Sequence, residues 1–419
     1  MPLWGFNGDS PKTNLPDFDV FFMMAAQLEL LKETVATLAV RCDKSTVGDM
    51  KKMLKGFVLT GKKIRNVVED PSNDKGRLII LTPETNAETV APLLLEGAEI
   101  VTHSYDVGFE QMSANQALKK LLADHNVESV PTAYETVGHI AHLNLKETHL
   151  PFKTLIGEVI LRKNGHIRTV VNKMHNLNDE FRALPLELIA GEDNFVTEVK
   201  ENGLTLRFDY SKVFWNSRLS REREILCGSL QEGSVVVDVM AGVGALCCLA
   251  AQRKHCLVWA NDLNPDAFTS LETNFRLNKV GSTCVAYNKD GNAFIRNFFQ
   301  CRQQWLSHAA IQSKEVHFVM NLPQSAIDFL PAFIGVLNGI EEEVEGWSFV
   351  IHCYCFAKEE ECEREIRERV TEKLPHSDTG NAMIRTVRNI APKKSMYCWT
   401  WTLDKGIGLH CVKKFKESS

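Results

Sequence analysis

The chain has 419 residues, 44% of them hydrophobic, which predicts two or three domains with sizeable cores. Its formal net charge of −5 excludes a global basic field, so a nucleic-acid partner would have to be held by local patches. No apolar run is long enough to span a membrane, and twelve cysteines without a C-x-x-C pair indicate the reduced thiols of an intracellular protein.

Residues 1–130 are predicted to form a small α/β module. Apolar periodicity favours helices at 21–40, 49–55 and 114–126, and strands are predicted at 77–82 and 99–102. Its lysines are candidates for phosphate contacts, although a solvated helix face explains them equally well. These lysines are Lys51, Lys52, Lys62 and Lys63.

Residues 131–225 are predicted to form a small middle domain of α+β type. An Asn-Gly turn at 163–165, between apolar runs at 155–162 and 167–172, predicts a β-hairpin. We disfavour a metal site at the three nearby histidines because no fourth ligand is close in sequence. These histidines are His139, His142 and His149.

Residues 226–419 are predicted to form a doubly wound α/β sheet with a nucleotide-type pocket. A buried strand at 235–239 runs into a turn of small residues, and a helix is expected at 246–253. Glycines at such a turn let a ligand approach the backbone, and the helix N-terminus presents free N–H groups. The turn residues predicted to contact the ligand are Ala241, Gly242 and Gly244.

A polar residue follows each of four predicted strands in this domain, and the carboxyl ends of parallel strands meet in one crevice. These residues are Asp238, Asp262, Asp290 and Asn321. Asp238 would repel a pyrophosphate but attract an ammonium or sulfonium group. Asp262 is placed to accept hydrogen bonds from the ribose hydroxyls, and Asp290 can accept one from the adenine amine. Any one of these acids alone would be an ordinary strand-end or capping residue, but the ordered series predicts S-adenosyl-L-methionine as cofactor.

The sheet is expected to continue towards the C-terminus. A buried strand is predicted at 347–356, a charged helix at 358–374, and an antiparallel pair at 382–390 and 396–403. The run 352–355, His-Cys-Tyr-Cys, is interpreted as alternation on a buried strand and not as a metal site.

Seven segments together resemble the tRNA (guanine(37)-N1)-methyltransferases of archaea and eukaryotes. They are VGHIAHLNL (137–145), LIGEVILRKN (155–164), VFWNSRL (213–219), VDVMAGVGAL (237–246), NDLNP (261–265), NLP (321–323) and VRNIAPKKSMYC (387–398). The resemblance covers roughly residues 130–400 and is loose before them. It implies an N-terminal tRNA-contacting domain, a small middle domain and a Rossmann-like class I methyltransferase domain. The implied reaction is methyl transfer from S-adenosyl-L-methionine to N1 of guanosine 37, 3′ of the anticodon, which supports reading-frame maintenance.

The resemblance also implies roles for individual residues. Glu222 is the expected general base, Arg182 the cation that orients guanine, and Asn321 the amide that holds the base. Arg223 is expected to contact the cofactor, although family members often have His at this position. The predicted cofactor contacts are completed by Leu263 and Gly291.

The chemistry of guanine agrees with these roles independently. N1 carries a proton, so its methylation needs a base, together with a cation or amide that steadies the charge developing at O6. Leu322 and Gln324 flank Pro323 where methyltransferases acting on exocyclic amines usually place an aromatic residue after the proline. This argues against an exocyclic amine as the target.

Three alternatives remain at this level. One is an aminocarboxypropyl transferase of the wybutosine pathway, which shares architecture and cofactor, and another is a non-catalytic tRNA-binding protein with a relict cofactor fold. The third, a nicotinamide dehydrogenase, is disfavoured because the dinucleotide fingerprint is incomplete, with Cys247 at its third glycine position. The resemblance suggests a monomer in the cytoplasm, with the nucleus and the mitochondrial matrix as further compartments of the family.

Overall fold

The computed structural model describes Leu28 and residues 31–61, 63–125, 127, 129–131, 133–174, 185–375 and 382–409. The chain divides into two compact units. The first comprises residues 1–134, 145–165 and 189–191, and the second comprises 135–144, 166–188 and 192–419. The division into domains at 130 and 225 stays a prediction. No described helix is long and apolar enough to cross a membrane.

The first unit is built on an antiparallel sheet with the strand order β2-β3-β1-β4. Its strands are β1 (Glu33–Asp43), β2 (Val67–Asp70), β3 (Asn73–Ile80) and β4 (Glu99–Val107). Its helices are α1 (Val47–Met53), α2 (Ala87–Val90), α3 (Ala114–Leu121) and α4 (Lys153–Lys163). Val40, Met50 and Ile79 are among the buried residues of its core.

The prediction of a helix at 21–40 is wrong from residue 33 onward. Strand β1 begins at Glu33 and is the central strand of its sheet, paired with both β3 and β4. The β-branched residues Thr34, Val35 and Thr37 favour this extended structure, and pairing on both edges outweighs the helical periodicity. Most of the remaining predicted helix lies outside the described residues.

The β-hairpin predicted around the Asn-Gly turn at 163–165 is also wrong. Residues 153–163 form helix α4, in which Ile156, Val159 and Ile160 are buried at helical spacing. Gly157 lets this helix approach its neighbour, since a Cβ there would lie 2.9 Å from the Cβ of Ala190. The strand that follows, β7 (Thr169–Lys173), pairs with β6 (Ile140–Leu143) in parallel and not as the arm of a hairpin.

Three of the four lysines proposed for phosphate contacts have protein partners in the structure. Lys52 pairs with Asp49 at 2.9 Å, and Lys63 pairs with Glu110. Lys51 lies 3.5 Å from the side-chain oxygen of Asn66. Lys62 lies outside the described residues. Phosphate binding by this group therefore stays a prediction.

The second unit is organised on a seven-stranded sheet with the order β13-β12-β11-β14-β15-β17-β16. These strands are β11 (Val235–Asp238), β12 (Leu257–Asn261), β13 (Cys284–Tyr287), β14 (Glu315–Met320), β15 (Ser348–Lys358), β16 (Met383–Ala391) and β17 (Lys394–Thr402). The first five in this order pair in parallel, and β17 pairs antiparallel with β15 and β16. The predicted parallel core and the terminal antiparallel pair are both confirmed.

Helices cover both faces of this sheet, as expected for a doubly wound fold. They are α5 (Ser220–Ser229), α6 (Ala245–Lys254), α7 (Pro265–Leu277), α8 (Gly291–Gln300), α9 (Arg302–Leu306), α10 (Cys362–Lys373) and the short terminal α11 (Lys405–Gly408). One apolar cluster joins α5, α6 and α7 to the first face, and a second joins α8, α9 and α10 to the other. The predicted Rossmann-like class of fold is confirmed.

The remaining strands form two small sheets. One has the order β5-β6-β7-β8, with β5 (Glu135–Val137) and β8 (Leu186–Gly191) at its edges. The other is the antiparallel pair β9 (Val196–Glu201) and β10 (Leu204–Asp209). All cysteines among the described residues are free, and most of them are buried, as predicted.

Candidate active site

The turn after β11 has the backbone conformation that its small residues predicted. Gly242 and Gly244 have φ angles of +55° and +83°, in the left-handed region that favours glycine. A Cβ on Gly242 would meet no atom closer than 4.0 Å, so this side of the turn faces open space. A Cβ on Gly244 would lie 2.7 Å from Leu271, so Gly244 serves the packing of α6 against α7.

A cavity of about 500 Å³ lies at the carboxyl ends of the parallel strands. Six predicted cofactor residues line it: Gly242, Asp262, Leu263, Asp290, Gly291 and Asn321. Its walls also include apolar side chains that the sequence did not single out, among them Phe214 and Phe329. Its volume lies in the range of small-molecule sites. The position predicted for the ligand crevice is therefore where the structure has a cavity.

A smaller cavity of about 80 Å³ lies beside the first, and Phe214, Met240, Gly242 and Asn321 are among the residues that line both. Its lining includes the other predicted site residues of the described chain, apart from Gly244, which lines neither cavity. These residues are Glu222, Arg223, Asp238 and Ala241.

Asp238 is a buried acid with an unfilled acceptor. Its Oδ2 accepts a weak hydrogen bond from the thiol of Cys247 at 3.5 Å, but its Oδ1 accepts none from the described residues. Burial raises the pKa of Asp238 to about 7, and the nearby charge of Asp262 adds to the effect. A cationic ligand group would stabilise the ionised form.

Asp262 is held in place by the backbone around it. Its Oδ2 accepts a hydrogen bond from the N–H of Gly242 at 2.8 Å, and its Oδ1 accepts one from the N–H of Asn264 at 3.0 Å. Burial raises the pKa of Asp262, and these two donors oppose the rise. Each carboxylate oxygen keeps one further lone pair for a ligand.

Asp290 and Asn321 reach the same cavity from neighbouring elements. Asp290 caps α8, because its Oδ1 accepts a hydrogen bond from the N–H of Ala293 at 3.1 Å. Asn321 follows β14 and has no side-chain hydrogen bond to a described residue, so its amide is available to a ligand.

Glu222 lies in the first turn of α5, and both oxygens of its buried carboxylate accept hydrogen bonds. Arg385 on β16 donates to both of its oxygens, from Nη1 at 2.6 Å and from Nη2 at 2.5 Å. Tyr354 on β15 donates its hydroxyl to Oε1 at 2.6 Å. This ion pair raises the pKa of Arg385, and burial raises the pKa of the Tyr354 hydroxyl.

These two partners of Glu222 could not be found from sequence patterns. They are 132 and 163 residues away from it along the chain. Arg182, the cation expected beside Glu222, lies outside the described residues. Arg223 lines the small cavity, but its guanidinium pairs with Glu201 at 2.7 and 2.8 Å and lies over the ring of Trp215. Its expected cofactor contact stays a prediction.

Two arginines near the larger cavity have no acidic partner among the described residues. Arg388 on β16 lines the cavity, and neither Arg388 nor Arg218 makes an ion pair or side-chain hydrogen bond there. Burial lowers the pKa of Arg388, as does the positive charge of Arg218, while Glu135 opposes the effect. No group of histidine, cysteine or acidic residues in the described part of the chain is arranged to hold a metal ion.

Comparison with known proteins matches two segments of the chain to protein-family models. Residues 197–378 match the TRM5/TYW2 methyltransferase domain, and residues 114–194 match the TYW2 N-terminal domain. Among solved structures, a complex of aTrm5 with tRNALeu has a TM-score of 0.62 over 88% of this chain and 100% of that one. Its identity to this chain is 21%, so it supports the fold.

Relatives with higher sequence identity identify the family. A tRNA (guanine(37)-N(1))-methyltransferase of Batrachochytrium dendrobatidis is 34% identical over 84% of this chain and 83% of its own length. The protein of the same name from Danio rerio is 35% identical over 95% of this chain and 86% of its own length. Both alignments cover most of each protein, so the chain belongs to the tRNA (guanine(37)-N1)-methyltransferase family.

Proposed function

We propose that this protein transfers a methyl group from S-adenosyl-L-methionine to N1 of guanosine 37 in tRNA. The observation that carries the proposal is the pair of adjoining cavities at the strand ends. There Asp238 has an unfilled acceptor, Asp262 keeps further lone pairs, and the side-chain amide of Asn321 has no hydrogen-bond partner among the described residues. Membership in the methyltransferase family supports the reaction type. The relatives' shared name supports the target base.

The residues of the cavity fit the proposed cofactor. The unfilled Oδ1 of Asp238 suits an ammonium or sulfonium group, because a buried carboxylate is costly without a partner. Asp262 can accept from the ribose hydroxyls with its remaining lone pairs. Leu263 exposes 48% of its surface, and such an apolar side chain beside Asp290 suits the adenine ring. S-adenosyl-L-methionine, when bound, supplies an activated methyl group.

The chain's own residues supply the acid–base chemistry. Glu222 is the proposed acceptor of the N1 proton, and Asn321 the proposed hydrogen-bond partner of the base edge. Arg182 is proposed to stabilise the charge at O6. Because the methyl donor is already reactive, holding the base in line with it supplies much of the remaining acceleration.

The RNA is proposed to enter past Arg388 and Arg218. These two cations form no ion pair with a described residue, although Glu135 attracts Arg388, and like charges kept close together are costly unless an anion joins them. A phosphodiester beside the target nucleotide is such an anion, and arginine binds phosphate through two parallel hydrogen bonds. An anticodon-loop base can be unstacked more cheaply than a paired one, which favours a target at position 37.

Aminocarboxypropyl transfer is the second candidate, because the matched domain family includes both kinds of enzyme. The experiment that separates them uses the cofactor labelled in its methyl carbon or in its carboxyl carbon, with mass analysis of the product nucleoside. Methyl transfer carries only the first label into 1-methylguanosine. Incorporation of the carboxyl label would establish the second candidate instead.

A further inference from the structure

The ion pair around Glu222 is built by the register of three neighbouring strands. Tyr354 on β15 and Arg385 on β16 both pair with Cys398 on β17, so the three side chains stand in one row across the sheet. Glu222 on α5 reaches this row and receives all three hydrogen bonds described above. The carboxylate is 5% exposed.

The row leaves one acceptor site on the carboxylate unused. A carboxylate has about four lone-pair sites, two on each oxygen. Oε1 receives Tyr354 and one nitrogen of Arg385, and Oε2 receives the other nitrogen of Arg385. The remaining site therefore belongs to Oε2, and Glu222 lines the small cavity together with Asn321.

We propose that Arg385 and Tyr354 are positioning residues that fix the Glu222 carboxylate and direct its free Oε2 lone pair to the substrate proton. The proposal rests on the proposed role of Glu222 as general base. Arg385 contributes the opposite charge that a buried carboxylate needs, and its two parallel hydrogen bonds fix the plane of the carboxylate. Tyr354 fixes the rotation by binding only one oxygen.

The other ionisable groups near this carboxylate are accounted for. Asp238 lines the same cavity from β11 and is bonded to the thiol of Cys247. Arg223 on the same helix is paired with Glu201, and Cys398 contributes a neutral thiol whose pKa burial raises. Among the described residues, Arg385 is the cation that contacts Glu222.

The test is the single-turnover rate of methyl transfer to tRNA as a function of pH, for four variants and one control variant. Glu222→Gln should lower the rate about 10²-fold or more at pH values above the acid limb of the native profile, the usual range for loss of a general base. Arg385→Met should lower the rate at pH 7 at least about tenfold and move the acid limb of the profile to higher pH by about one unit or more. A buried carboxylate without its cation takes up a proton more readily.

The conservative variants and a control separate positioning from a structural role. Arg385→Lys keeps the charge and should restore the acid limb, although not the full rate, because the second hydrogen bond is lost. Tyr354→Phe should lower the rate with the ion pair retained. Arg302→Met breaks an ion pair on the other face of the sheet, in which Nη2 of Arg302 lies 2.6 Å from Oε1 of Glu343, and should leave the profile unchanged. Thermal unfolding and cofactor affinity verify that each variant is folded.

The proposal and the base assignment fail in different ways. If Glu222→Gln is inactive while Arg385→Met and Tyr354→Phe keep the native rate and profile, the two residues are structural and the proposal is overturned. If Glu222→Gln keeps a near-normal rate, the base assignment itself is wrong. If Arg385→Met does not fold, Arg385→Lys and Tyr354→Phe decide, and native rates in both would overturn the proposal.

Discussion

The protonation of Asp238 affects both the stability of the folded protein and the binding of a cationic ligand. Its pKa of about 7 follows from burial with one carboxylate oxygen unpaired. The folded protein therefore holds a proton there between about pH 4 and pH 7 that the unfolded chain does not, since an exposed aspartate titrates near 3.9. Ionising Asp238 costs stability as pH rises through this window, and a cationic ligand offsets the cost.

The first prediction is a pH-dependent cofactor affinity. Binding of a sulfonium or ammonium group requires ionised Asp238, so affinity should rise between pH 5.5 and pH 7.5 and proton release should accompany binding below pH 7. Titration calorimetry in buffers of different ionisation enthalpy measures both quantities. In Asp238→Asn the affinity should be weaker and this dependence lost. Native affinity that is constant across the range would contradict the assignment.

The second prediction concerns Asp262. Asp262→Ala removes an acceptor placed for the ribose hydroxyls and should weaken cofactor binding by about 2–3 kcal/mol, the scale of losing charged hydrogen bonds. Asp266→Ala is the matched control, because Asp266 is a half-exposed acid four residues away that pairs with Lys212. Equal affinities for the native protein and Asp262→Ala in calorimetry would remove Asp262 from the site.

At the scale of elements, the position of the cavity could be predicted from the sequence, because a doubly wound sheet brings the carboxyl ends of its parallel strands together. A buried run followed by a polar residue marks each of the four ends, and pairing among β11, β12, β13 and β14 places those ends at one edge. The contacts of Glu222 with β15 and β16 could not be predicted in this way. They depend on the register of three strands over more than 130 residues of chain.

The two incorrect predictions of secondary structure show where tertiary contacts outweigh local sequence patterns. Helix α4 carries the Asn-Gly signal at its end, where Asn164 donates a hydrogen bond to the carbonyl of Ile160 at 2.7 Å. The dipeptide therefore ends a helix instead of joining two strands. In β1, a pattern with helical periodicity forms a strand instead. Its pairing with β3 and β4 involves residues distant in the sequence, so a short stretch of sequence does not reveal it.

The third prediction tests the turn after β11. Gly244→Ala should destabilise the protein by at least about 1–2 kcal/mol, because a left-handed φ is strained for alanine and its Cβ would lie 2.7 Å from Leu271. Gly228→Ala is the contrasting variant, since Gly228 lies exposed in α5 with nothing within 4 Å of a new Cβ. Alanine there should stabilise by about 0.5–1 kcal/mol. Urea unfolding that ranks the two variants in the other order would contradict this account.

At the scale of the whole molecule, RNA binding must come from local cations, because the net charge is −5. Arg388 is the fourth test. Arg388→Met should weaken tRNA binding at low salt and reduce the slope of log affinity against log salt by about 0.7–0.9, the value for one phosphate contact. Cofactor affinity should stay the same.

A matched control for Arg388 lies at the other edge of the sheet. Lys254 ends helix α6, away from the carboxyl ends of the strands, so Lys254→Ala removes an equal charge and should leave the slope unchanged. If Arg388→Met weakens cofactor binding while the salt slope is retained, its anionic partner is the carboxylate of the cofactor and not the RNA.

The most direct test of the proposed function compares tRNA transcripts that differ only at position 37. The native protein and S-adenosyl-L-methionine labelled in its methyl carbon are used, and the modified nucleoside is located by mass analysis of nuclease fragments. We predict one methyl group per tRNA, as 1-methylguanosine at position 37, and no label in transcripts with adenosine or cytidine there. Labelling of those transcripts, or of a guanosine elsewhere in the tRNA, would contradict the account.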